Sequence, residues 1–141
     1  MTTSTRTLTQ TLTYAGTIPF ALFLLPDLPV VGDATMPLFA AYGAIIATFM
    51  AGTLWGMVQR DTQPDAKLLV MSNFVALACW ACLAFPVSRV TLIVELVLFL
   101  ALLAMEGSRA PLHTEKPWYW RMRMRVTAIV CVFFLTRIVI G

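Results

Sequence analysis

Charge is scarce in this sequence. Asp, Glu, Lys and Arg make up 12% of its 141 residues, about half of the roughly 25% in a soluble domain. Hydrophobic residues make up 60%, and the mean hydropathy is +0.83. No water-soluble fold of this length hides so much apolar surface, so the solvent is lipid. Alternation of apolar and polar residues is missing, which excludes a membrane β-barrel. There is one histidine, His113, and three cysteines, Cys79, Cys82 and Cys131, all three in apolar runs. That supplies no haem or zinc ligand set and no disulfide framework. The P-loop, H-E-x-x-H and G-x-S-x-G patterns are missing, as are internal repeats and low-complexity tracts. The net charge of +3 comes from basic residues beside hydrophobic runs, which does not suggest nucleic-acid binding.

What is present is a series of long apolar segments. A spanning helix needs roughly 20 apolar residues, and backbone groups in lipid must be bonded internally. The expected fold is all-α: a polytopic membrane protein, a single five-helix transmembrane bundle over 1–141. Its spans are 12–31, 37–58, 67–85, 90–106 and 122–140. Residues 1–10, threonine-rich and without an acid, read as a short polar tail, since no A-x-A site follows the first apolar run. Pro19 predicts a kink in the first span.

Orientation follows from Lys and Arg by side. Arg6, Arg60, Lys67, Arg109, Lys116, Arg121, Arg123 and Arg125 fall on one face, Arg89 and Arg137 on the other. The N-terminus is therefore expected in the cytoplasm and the C-terminus in the periplasm of a bacterial inner membrane. A mitochondrial inner membrane is the alternative.

Small residues recur every fourth position in the second span: Ala40, Ala44, Thr48, Gly52 and Gly56. Such a stripe lets helices approach closely. With Gly43, it predicts packing inside the bundle; a dimer interface is the competing reading. Trp55 between these glycines reads as an interfacial belt residue or as a plug for the space the glycines leave.

Two acids lie within apolar spans. A buried carboxylate is costly unless paired and is a functional candidate by default. Glu95 is expected to pair with Arg137, docking the fourth helix on the fifth; the alternative is a proton-relay or cation-binding carboxylate. Glu106 is expected to pair with Arg123, whose neighbours Arg121 and Arg125 share a different face. Arg121, Arg123 and Arg125 also form a cluster suited to anionic lipid headgroups. Cys79-Trp80-Ala81-Cys82 is formally C-x-x-C, but mid-span it reads as packing. His113 reads as a solvated loop residue.

Three segments carry a resemblance. They are Gly16-x-x-Pro19-Phe20; Tyr42-Gly43-Ala44 with Phe49, Gly52 and Trp55-Gly56; and Pro117-Trp118-Tyr119 with Met122-Arg123 and Val126-Thr127. Together they resemble an uncharacterised bacterial and mitochondrial membrane family that includes transmembrane protein 69 and is catalogued as a domain of unknown function. The family pattern reads P-x-W-Y-x-x-L-R-x-x-L-T. Here no residue separates Pro117 from Trp118, Met122 and Val126 replace the leucines, and Glu106 stands where the family has an Asp. The resemblance covers nearly the whole chain. It implies five helices and roles for Glu106, Tyr119, Arg123, Trp55 and the glycines of the second helix, but no reaction. Glu95 and Arg137 are outside it.

Three functions fit these residues. The first is a non-enzymatic accessory or assembly factor docking with a larger membrane complex, without a cofactor. The second is a binder or carrier of a small amphipathic ligand, a quinone or lipid, near Tyr42, Trp55, Glu106, Tyr119 and Arg123 at the cytoplasmic interface. The third is a proton or ion pathway using Glu95. Lipid-modifying chemistry with Glu106 and His113 ranks behind all three.

Overall fold

The computed structural model of the chain describes residues 3–25, 29, 32, 34–60, 62–109 and 117–140. They form six helices: α1 (Thr3–Ala15), α2 (Ile18–Leu22), α3 (Thr35–Gln59), α4 (Ala66–Ala84), α5 (Arg89–Arg109) and α6 (Pro117–Ile140). Among the described residues, α3, α4 and the stretch Arg89–Ser108 of α5 are long and apolar enough to cross a membrane. Helix α6 is as long but carries Arg121, Arg123 and Arg125 in its first half. The fold is an all-α membrane protein, in which three helices meet the spanning criterion where five spans were expected. His113 lies outside the described residues.

The expected first span differs most. Helix starts at Thr3, so most of the stretch read as a tail is helical, and Thr9 and Thr13 each donate a hydroxyl hydrogen bond to the carbonyl four residues back. The break falls at Gly16-Thr17, just ahead of Pro19. Pro19 has no N–H for the Ala15 carbonyl, and the Thr17 N–H closes a tighter turn onto the Tyr14 carbonyl at 3.1 Å. The Gly16 carbonyl instead accepts the Tyr42 hydroxyl at 2.7 Å. Redirected by the break, α2 drives Phe20 into the centre of the molecule, where it is 1% exposed.

Burial follows one rhythm on every long helix. On α3 the buried line is Ala40, Ala44, Ala47, Ala51, Leu54 and Val58; on α4 it is Leu68, Ser72, Val75 and Cys79. On α5 it is Leu92, Glu95, Phe99, Leu102 and Glu106, and on α6 Arg123, Thr127, Val130, Phe134 and Arg137. Steps of four and three alternate, giving the 3.5-residue repeat of left-handed helix packing. Four alanines on α3 let its neighbours approach closely, and α3 packs against α2, α4 and α5.

The same rhythm corrects the small-residue stripe. Steps of four advance about 40° past a full turn each time, so the line from Ala40 winds off the core before Gly52. Gly52 is exposed, and a Cβ added at Gly52 or Gly56 would meet nothing within 4 Å. Neither glycine packs inside the bundle. Gly43 does: a Cβ there would stand 2.5 Å from Glu95 Oε1 and 2.9 Å from Phe134 Cζ.

An aromatic cluster closes the centre. Phe20, Phe39, Phe99 and Phe134 come from four helices, with ring centroids 4.8 to 6.3 Å apart in edge-on or tilted pairs. At the far end, the Arg6 guanidinium lies 5.1 Å from the centroid of Trp118, tying α1 to the start of α6.

Candidate functional site

Among the described residues, two buried polar features and a cavity stand out in this frame. The first is a buried ion pair. Arg123 Nε donates to Glu106 Oε2 at 2.9 Å and to Oε1 at 3.3 Å, and its Nη2 donates to Oε1 at 3.0 Å. The side chains are 6% and 1% exposed. This fork-on-fork arrangement is the strongest form of charged hydrogen bond between side chains. Both residues occupy the packed lines of α5 and α6, so the pair also fixes the antiparallel register of those helices. Gly107 makes room beside it: a Cβ there would lie 3.2 Å from Trp120 Cη2. Arg121 and Arg125 are exposed, so only these two of the three clustered arginines are available to headgroups.

The register explains a correction. Arg137 lies fourteen residues past Arg123, whereas Glu95 lies eleven before Glu106. At about 1.5 Å per residue Arg137 overshoots Glu95 by about 4.5 Å, nearly one turn. Phe134 meets Glu95 instead, both crowding Gly43. The expected Glu95–Arg137 pair is not made. Arg137 Nη2 donates to Thr35 Oγ1 of α3 at 3.2 Å. Among the described residues, the buried side-chain nitrogens and oxygens with no hydrogen-bond partner are both Glu95 oxygens and Arg137 Nε and Nη1.

The cavity is about 440 Å³ and lies between α1, α3, α5 and α6. Its walls are mostly apolar, with Leu12, Ile46, Phe49, Met50 and Phe99 among them. Tyr119 and Arg123 bring polar groups from α6, and Thr9, Thr13, Thr17 and Thr53 bring hydroxyls from α1, its turn and α3. Those four hydroxyls donate to carbonyls of their own segments, at Thr5, Thr9, Tyr14 and Phe49. The Arg123 charge is already matched by Glu106.

Of the residues expected to form one binding site, the structure brings Tyr119 and Arg123 into the cavity wall. Glu106 sits behind Arg123. Tyr42 lies one contact away, through the Gly16 carbonyl in the wall. Trp55 is 44% exposed and is not part of the wall; it is on the outward side of α3 with Gly52. Sequence reasoning missed the threonine wall of α1. Its signal is Thr5, Thr9, Thr13 and Thr17, a four-residue repeat that starts in the stretch read as tail and runs into the expected first span. The C-x-x-C cysteines are free thiols, with Cys79 buried on the α4 packing line.

Comparisons with known proteins agree with a membrane protein and add no chemistry. No solved structure matches this chain. Over 136 residues it is 28% identical to transmembrane protein 69 of Mus musculus, covering 92% of this chain and 54% of that protein. The chain thus spans about half the length of that curated relative. Residues 5–139 match the family described as protein of unknown function (DUF3429), and this chain belongs to that family of membrane proteins.

Proposed function

We propose that the protein is a five-pass helical bundle of a bacterial inner membrane that binds a small amphipathic molecule in the cavity between α1, α3, α5 and α6. One observation carries this reading. The cavity has the size, apolar lining and few convergent polar groups of a small-molecule site. The fold leaves it open although every packed line around it is filled.

The wall chemistry narrows the guest. Threonine hydroxyls whose protons are already spent offer lone pairs, and the arginine beside them is neutralised. A headgroup that donates hydrogen bonds suits this wall: the hydroxyls of a quinol or of a neutral lipid. An anionic headgroup suits it poorly and fits the exposed Arg121 and Arg125, at about 1 kcal/mol each near a charged leaflet. In this reading α1 and α2 together form the first pass and α6 the last, with the basic end of the bundle in the cytoplasm. The guest enters from the cytoplasmic leaflet. An accessory role in a larger complex remains the second reading, supported by the large apolar residues on the outer face of α4, such as Phe74, Leu77 and Trp80. Those residues also suit plain contact with lipid.

Native mass spectrometry of the protein, gently extracted from its own membrane, tests the proposal. The expected result is a reproducible adduct of lipid or quinone size on the 15.6 kDa chain. That adduct is lost in Met50→Trp, which fills the cavity. A bare chain overturns the ligand reading, and a protein-sized adduct favours the accessory one.

A further inference from the structure

Glu95 is the feature that neither the cavity nor the Glu106–Arg123 pair uses. It lies six residues into α5, about 9 Å along a helix apolar enough to span the membrane. It is 0% exposed and neither oxygen has a hydrogen-bond partner. Gly43 backs it from α3 and Phe134 from α6. The charged and titratable groups facing it are few. Helix α4 brings Cys79 and Cys82 within electrostatic reach. Helix α6 brings Arg137, offset by nearly one turn and bonded to Thr35. Helix α3 brings no acid or base, since the Tyr42 hydroxyl is committed to Gly16.

An ionised carboxylate with no donor in such a place costs far more than a neutral acid, and a buried group meets that penalty by taking up a proton. A structural ion pair would have been built in register, as Glu106 and Arg123 are. Instead the chain holds an acid and an arginine at neighbouring levels of one packed seam, both buried and both incompletely bonded. We propose that Glu95 is a membrane-embedded proton-binding site. Its carboxyl carries a proton in the resting fold, and the spare N–H groups of Arg137 receive the carboxylate when the proton leaves. The step is a simple dissociation: the Glu95 O–H bond breaks, the proton passes to hydroxide or buffer base of the solvent, and the negative charge left behind is matched by Arg137. This inference is independent of the ligand reading and stands if the cavity proves empty.

Infrared spectroscopy of the protein reconstituted in liposomes tests it. At neutral pH the wild type should show the carbonyl band of a protonated carboxylic acid. The band should vanish in Glu95→Gln, which keeps the side chain's size, and persist in Glu106→Gln. On titration to alkaline pH it should disappear, and in Arg137→Gln it should persist further into that range, because the charge that receives the carboxylate is gone. Carboxyl carbon resonances of wild-type protein labelled only at glutamate give the same reading without a substitution: one protonated signal in a chain with three glutamates. A wild type with neither band nor signal, or a band unchanged in Glu95→Gln, overturns the proposal. An alkaline transition unaffected by Arg137→Gln overturns the part assigned to Arg137.

Discussion

Removing Arg123 probes the element that sets the register of α5 on α6. The guanidinium makes three hydrogen bonds to Glu106, and both side chains are shielded from solvent. Arg123→Ala leaves Glu106, itself 0% exposed, as a buried charge without its partner. Breaking a buried pair in this way costs about 3–5 kcal/mol. Replacing both members with apolar residues of similar size, Glu106→Leu with Arg123→Met, removes the stranded charge. It should return stability to the wild-type level or raise it by about 1–4 kcal/mol. Glu106→Leu alone, Arg123→Met alone and this double variant form a cycle whose coupling is the worth of the pair. Reversible unfolding in mixed micelles with rising dodecyl sulfate, followed by the fluorescence of the four tryptophans, measures all three. In that denatured state the helices persist but separate, so each charge regains water and the comparison isolates the pair. A cost for Arg123→Ala under about 1 kcal/mol, the worth of an exposed surface pair, refutes the reasoning. So does a double variant as unstable as the single one.

Two further substitutions test the packing. Gly43→Ala puts a Cβ against Glu95 and Phe134 and should cost about 1–3 kcal/mol by overpacking. Gly52→Ala in open space should be neutral or stabilise by up to about 1 kcal/mol through helix propensity. Equal effects in the same unfolding assay would contradict the observed packing. Tyr42→Phe removes the hydroxyl that bonds the Gly16 carbonyl at the α1–α2 break and should cost about 0.5–1.5 kcal/mol. Amide exchange should rise around residues 14–18 and stay unchanged at the far end of α3. Uniformly unchanged exchange would show that the break is held by other contacts.

Composition and hydropathy alone determined that this chain is helical and lives in lipid. An unpaired backbone group in hydrocarbon costs too much, and apolar runs of this length leave no other solution. The bounds of α3, α4 and α5 were legible for the same reason, because proline, glycine and charge interrupt the runs where the helices end. The partner of Glu106 was legible too, since a buried acid next to a basic cluster has few choices. Which small residues pack was not legible. A stripe read in fours looks continuous in sequence, yet the bundle packs on a 3.5-residue repeat, and the difference carries Gly52 out to the surface while it holds Gly43 at the centre. The threonine line was hidden because it straddles the stretch read as a polar tail and the start of the expected first span; only the carbonyls of its own segment show how the hydroxyls are satisfied. The tertiary structure also decided the fate of Glu95. Pairing by depth suggested Arg137, but the Glu106–Arg123 pair sets the register of the two helices, and that register puts Phe134 opposite Glu95. Sequence states which charges a membrane must account for, and the fixed rise of a helix decides which of them can meet.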